Sequence, residues 1–132
     1  MLVSSVAAFN GGLLGVHYAT SKAGQLGLVH ALAGPLAPDG VTVNAVAPAL
    51  IEGTGLMPRE AEALRQIAQR VPVQRLGRPE EVAQAVLLLV TNPYMTGQTV
   101  SVDGGIYPRY GLISCYSHVR TSQRGRPPGR VR

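Results

Sequence analysis

Apolar residues gather in short runs at residues 1–6, 41–46 and 98–102, and each run gives way to Ser, Pro or Asp-Gly. Short runs rich in branched side chains and bounded by turn formers predict β-strands. Between residues 17 and 36 the apolar positions follow a helical period instead, with Leu26, Val29, His30 and Ala33 at that spacing. Ala19, Ala23 and Gly27 form a row of small residues four apart on the same helix, which would let another backbone approach closely. Pro35, Pro38 and the Asp39-Gly40 pair are the stop signals. Asn10-Gly11-Gly12 and Gly15 mark residues 7–15 as a loop, and Gly53 and Gly55 mark another between residues 49 and 58. Residues 59–71 then predict an amphipathic helix with Ala63, Leu64, Ile67, Ala68 and Val71 on one face. After a turn through Gly77, Pro79-Glu80-Glu81 opens a helix running to Val90, with proline in the first turn and two acids at the positive helix end. A turn over residues 91–97 precedes the third strand, which Asp103-Gly104-Gly105 closes.

The order strand, helix, strand, two helices, strand is the signature of an α/β chain whose crossovers build a parallel sheet. Such sheets are covered by helices on both faces, and three strands are few for one. The expectation is the C-terminal half of a Rossmann-type doubly wound parallel sheet, three strands with flanking helices, with the N-terminal half absent.

Composition refines this outline. A hydrophobic content of 45% in 132 residues excludes an intrinsically disordered chain. The net charge of +5 first suggests nucleic acid. Through Pro108, however, six bases face seven acids, a net of −1, whereas from Arg109 onward there are six Arg and no acid. Residues 1–108 are therefore expected to be the folded unit, and residues 109–132 a basic, aperiodic tail for which disorder is expected. A phosphate- or RNA-binding arm is one reading of the tail and an unselected extension is the other; nucleic acid is not an expected partner of the body. Cys115, the only cysteine, lies in the tail, so neither an intramolecular disulfide nor a cysteine zinc site is expected. His17 and His30 have no second ligand at metal-site spacing, and no metal is expected. Without an apolar run of about 18 residues or a signal-peptide pattern, the expected setting is cytoplasmic, with no membrane partner.

Ser5, Tyr18 and Lys22 carry the candidate chemistry. Tyr18 and Lys22 are four apart at the start of a helix and share a face about one turn apart. An ammonium near a phenol favours the tyrosinate, and a phenol works as an acid or base near neutrality only beside such a charge. Ser5 ends the preceding strand, where a turn could bring its hydroxyl beside Tyr18. Two converging hydroxyls can hold a carbonyl oxygen, one donating a proton and the other stabilising charge as it develops.

Ser4-Ser5-Val6-Ala7, Tyr18-Ala19-Thr20-Ser21-Lys22-Ala23-Gly24, Val41-Thr42-Val43-Asn44-Ala45-Val46-Ala47-Pro48, Gly77-Arg78-Pro79-Glu80-Glu81-Val82-Ala83 and Thr96-Gly97-Gln98 running on to Val102-Asp103-Gly104-Gly105 follow one another with thirteen positions from Ser5 to Tyr18. In these segments, their order and their spacing, the chain resembles the short-chain dehydrogenase/reductase family, particularly the 3-oxoacyl-acyl-carrier-protein reductases, over nearly all of residues 1–107. The resemblance implies NAD(P)-dependent interconversion of a small-molecule carbonyl and alcohol. It makes Tyr18 the general acid or base and Ser5 the residue that holds the substrate carbonyl. Lys22 would act on Tyr18 and bind the nicotinamide ribose, and Pro48, Ile51 and Thr54 would receive the nicotinamide carboxamide. It implies that residues 59–71 are a lid over substrate, where the pattern alone reads equally as a core-packing helix. It also implies that the helix over residues 17–36 joins a subunit interface, in a homo-oligomer or with full-length subunits.

The sequence departs from the family at three points. Ala49 stands where the family has glycine, and Thr54 lies one position later than the usual threonine. No glycine-rich strand-turn-helix that would receive the dinucleotide pyrophosphate is present, and with it goes the residue that chooses NAD or NADP. The competing expectation is therefore non-enzymatic: a truncated isoform or fragment that acts through the family's oligomerisation surface, or a basic-tailed binding protein.

Overall fold

The computed structural model describes residues 1–108 of the chain. The basic tail with Cys115, and what the sequence suggests for it, lies outside the described residues. The three expected strands form one sheet of parallel strands in chain order, β1 (Leu2–Val3), β2 (Ala45–Pro48) and β3 (Thr99–Val102). Leu2 pairs with Ala45 and Val3 with Val46, while Ala45 through Pro48 pair with Thr99 through Val102.

β2 lies in the middle, and Ala45, Val46 and Ala47 are fully buried, as a strand covered on both faces must be. Because side chains alternate along a strand, the two faces meet different helices. Val29 and Ala33 of α2 (Val16–Leu36) form a buried cluster with Val43 and Ala45, and Leu2, Leu26 and Leu36 pack around it. On the other face lies α4 (Pro79–Thr91), whose Leu89 is buried and offers its carbonyl to the Asn44 amide at 3.5 Å.

Several boundaries move from their expected positions. Residues 7–10 wind into a short helix, α1 (Ala7–Asn10), inside the expected loop, because Phe9 and Asn10 N–H both donate to the Val6 carbonyl. Pro35 sits inside the last turn of α2, not beyond it; the chain tightens through a 3-10 turn (Ala37–Asp39) and reverses at Gly40, with φ of 74°. The expected strand over residues 41–46 becomes a ladder that starts four residues later. Val43 is occupied by the 96–97 turn, donating from its N–H to Thr96 Oγ1 (3.0 Å) and accepting from Gly97 N–H (2.8 Å). The amphipathic helix contracts to α3 (Ala61–Ala68), while Val71 beyond it is buried.

α4 follows its sequence closely. Pro79 occupies the first helical position, and Glu81, two residues further on, accepts the Arg78 N–H at 2.7 Å, closing the helix entry from both sides. Among the described residues no helix is long and apolar enough to cross a membrane.

Candidate active site

Parallel strands all end on the same side of a sheet, so the loops following β1, β2 and β3 collect there, the usual place for a ligand in open α/β folds. Ser5 follows β1, Pro48 ends β2 and Asp103 follows β3. Ser5 Oγ accepts from the Ala7 N–H at 3.2 Å and makes a long contact with the Pro48 carbonyl at 3.5 Å. Pro48 O also receives the Val6 N–H at 3.1 Å. The ends of β1 and β2 are thus tied together at two of the expected site residues.

Tyr18 and Lys22 lie in the first turns of α2, and the Lys22 ammonium stands 5.6 Å from the centre of the Tyr18 ring, within cation–π range. Lys22 is fixed at both ends. Buried Ser4 donates its hydroxyl to the Lys22 carbonyl at 2.9 Å, and the Lys22 ammonium donates to the Val3 carbonyl at 2.8 Å. Since Leu2 and Ser4 N–H donate to Asn44 O and Val46 O of the β2 side, the intervening Val3 carbonyl faces the opposite edge. The lysine therefore caps the open edge of β1. The hydroxyls of Ser5 and Tyr18 are not hydrogen-bonded to each other; Ser5 is turned to Pro48 and Ala7.

The segment after β2 is held by backbone contacts. Ala49 N–H donates to Val102 O at 3.1 Å, and Ile51, buried, bridges to Gly77 through Gly77 N–H to Leu50 O and Glu52 N–H to Gly77 O, both 2.9 Å. Thr54 donates its hydroxyl to Ile51 O at 3.0 Å, so these two expected cofactor residues are brought together. The Ile51 N–H takes no partner among the described residues and faces away from Gly77. That free donor fits the oxygen of a carboxamide, and the Lys22 and Tyr18 donors fit ribose and carbonyl oxygens. Among the described residues none forms a glycine-rich pyrophosphate cradle. A cleft of about 140 Å³ between Ile51, Val71, Val73, Val102 and Gly104 contains none of Ser5, Tyr18 and Lys22, and is too small for a ligand of that kind.

Three features escape a reading of the sequence alone. Phe9 and Tyr107 stack with ring centroids 4.8 Å apart, joining the helix after Ser5 to the end of the described chain; nothing local signals it. Asp103 supports that end by accepting Gly105 and Tyr107 N–H, each at 2.9 Å. Arg75 forms a bidentate pair with Glu81 at 2.9 and 2.5 Å. Here the Pro79-Glu80-Glu81 capping signal was available, though not the arginine that joins it. Arg75 and the Arg78 N–H together hold the Glu81 carboxyl well below the usual range, at about 2.

Comparison with known proteins shows the family and the fold. Residues 1–107 match the family described as Enoyl-(Acyl carrier protein) reductase. The chain is 41% identical over 107 residues to the 3-oxoacyl-[acyl-carrier-protein] reductase FabG of Aquifex aeolicus, covering 80% of this chain and 43% of that protein. It is also 41% identical over 109 residues to the acetoacetyl-CoA reductase of Rhizobium meliloti, covering 80% of this chain and 45% of that one. Among solved structures, YwfH, an NADPH-dependent reductase involved in bacilysin biosynthesis, superposes with a TM-score of 0.72 at 25% identity, over 83% of this chain and 47% of its own. A short-chain dehydrogenase/reductase of Brucella melitensis gives a TM-score of 0.67 at 31% identity, over 82% of this chain and 43% of its own. The chain belongs to the short-chain dehydrogenase/reductase family. Within it, similarity runs to the 3-oxoacyl-[acyl-carrier-protein] reductases, of whose length the chain spans about two fifths.

Proposed function

We propose that this chain carries the proton-transfer half of an NAD(P)-dependent oxidoreductase interconverting a small-molecule carbonyl and its alcohol. The observation that carries the reading is the placing of Tyr18 and Lys22 on one face of α2, with the ammonium 5.6 Å from the ring, beside the strand end that presents Ser5. The names of the relatives favour a 3-oxoacyl thioester as substrate. The reading includes a cytoplasmic setting and assembly with further subunits.

In the reducing direction, Ser5 Oγ donates a hydrogen bond to the substrate carbonyl oxygen, and Tyr18 gives the same oxygen its proton. Tyr18 is left as a tyrosinate beside Lys22 and regains a proton from solvent. Bound nicotinamide would supply the hydride to the carbonyl carbon. Ile51 N–H, Pro48 and Thr54 would hold its carboxamide, and Lys22 its ribose hydroxyls. NAD and NADP fit these residues equally.

The test is titration of the purified chain with NADH and NADPH, followed by turnover of a 3-oxoacyl thioester. Nicotinamide fluorescence that responds to the wild type, and a Tyr18→Phe variant that binds equally but turns over about a hundredfold or more slowly, is the expected pair of results. Fluorescence unchanged at high protein concentration would overturn catalysis by this chain alone. A second reading, non-enzymatic association with longer subunits of the family, would show as co-elution with such a subunit without cofactor binding by the chain itself.

A further inference from the structure

We propose that the Arg75–Glu81 pair is a positioning device for the segment that would receive the nicotinamide, acting on Ile51 through Gly77; this rests on the function proposed above. The Glu81 carboxylate gathers one short stretch of chain. Its Oε2 accepts Arg75 Nη1 at 2.9 Å and the Arg78 N–H at 2.7 Å, and its Oε1 accepts Arg75 Nη2 at 2.5 Å. Arg75 Nη1 also donates to Leu76 O at 3.0 Å. Residues 75 and 78 are thus fastened to the same side chain, and Gly77 lies between them.

Gly77 in turn grips the segment after β2. Its N–H and carbonyl bracket Ile51 through Leu50 and Glu52, and a Cβ at position 77 would lie 2.6 Å from Ile51 Cδ1, so the isoleucine side chain rests on the glycine. With that side chain buried and both flanking peptides paired, the Ile51 N–H is presented on the other side. Arg78 Nε stands 3.8 Å from Glu52 Oε1, a second and longer link between the same two stretches. An isolated one-residue bridge followed by exposed residues 52–56 would fray if nothing fixed its partner.

Magnitudes favour positioning over bulk stability. Arg75 and Glu81 side chains are 55% and 34% exposed, and an exposed pair contributes about 0–1 kcal/mol. What a bidentate guanidinium–carboxylate contact adds is fixed geometry. The fixed object here is the turn that seats Ile51.

The experiment uses the full 132-residue chain as wild type, Glu81→Gln and Arg75→Lys, with Arg65→Gln breaking the separate Arg65–Glu62 pair as control. Amide exchange is followed at Glu52 and Gly77 and, for reference, at Ala45 and Ala49. NADPH affinity and steady-state constants are measured alongside. The expected result is exchange about tenfold or more faster at Glu52 and Gly77 in Glu81→Gln, with Ala45 and Ala49 unchanged. NADPH affinity should weaken about fivefold or more, with KM rising more than kcat falls. Arg75→Lys, which keeps the charge but not the fork, should loosen the same two amides, and Arg65→Gln neither. Faster exchange confined to α4, with Glu52, Gly77 and NADPH affinity as in wild type, would reduce the pair to a helix cap and overturn the proposal. Should the wild type bind no NADPH, the proposed function falls, while exchange at Glu52 and Gly77 still decides whether the clamp exists. If Glu81→Gln fails to fold by circular dichroism, Arg75→Lys decides the matter on the same readouts.

Discussion

Asn44 holds the crossover between β2 and β3. Its side chain is 2% exposed, donates to Met95 O at 2.6 Å and accepts the Gln98 N–H at 3.0 Å, fixing where β3 begins beside β2. Asn44→Ala would leave those partly buried backbone groups without a partner, and the expected loss is about 1–3 kcal/mol, read as a lower urea midpoint. Ser4 has a similar part, since its buried hydroxyl ties the Lys22 backbone to β1. Ser4→Ala should leave the fold intact by circular dichroism and slow the proposed turnover several-fold, because the helix turn that carries Lys22 loses its anchor. Neither role was visible in the sequence. Ser5, Tyr18 and Lys22 stood out because their chemistry is scarce and their spacing regular, whereas the work of Asn44 and Ser4 depends on which carbonyls lie across from them. Ser5 shows the converse: its candidacy was legible, yet its contacts with Ala7 and Pro48 were not.

Among elements, α4 was the most legible, because proline at its first position and acids in its first turn are local signals. The β2 boundary was less so, since Val43 satisfies its backbone on the 96–97 turn instead of a strand, a partner no local pattern reveals. The α4 entry also carries a pH dependence. Glu81 faces Arg75 and Arg78, with Glu52 nearby, and its hydrogen bond from Arg75 is the main reason its folded pKa lies at about 2, well below the ordinary carboxylate range. A depressed carboxyl pKa stabilises the fold fully above the unfolded value, and that contribution disappears as pH falls through the folded one. The difference in unfolding midpoint between wild type and Glu81→Gln should therefore be constant above about pH 5 and close progressively toward pH 2. Packing sets a second expectation at this scale. Gly104 has φ of 62°, and a Cβ there would lie 2.6 Å from Val71 Cγ1. Gly104→Ala should cost about 1–3 kcal/mol by overpacking, measured in the same melts.

At the scale of the whole molecule, charge and apolar surface are separately distributed. The described body is close to neutral and the six arginines beyond it supply the excess, so deleting residues 109–132 should abolish salt-sensitive retention on an anionic resin. Retention that persists would mean that the body holds a basic patch of its own. The body also exposes apolar side chains, with Val3 at 55%, Leu13 at 89% and Val16 at 83%. Val3 lies on the β1 edge that Lys22 caps, and Val3→Glu should lower concentration-dependent light scattering, as charges on open strands do.

The sequence by itself determined the class and order of the main elements, the parallel sheet and the family, and it named six candidate residues, because periodicity, turn chemistry and motif spacing are properties of neighbours along the chain. Only the tertiary structure decided that Lys22 reaches the Val3 carbonyl, that Ser5 turns to Pro48 and Ala7, that Thr54 folds onto Ile51, and that Glu81 gathers Arg75 and the Arg78 N–H on either side of Gly77. Each of these contacts joins groups brought together by packing. A hydrogen bond depends on distance and direction in space, and one sequence spacing is compatible with many of both.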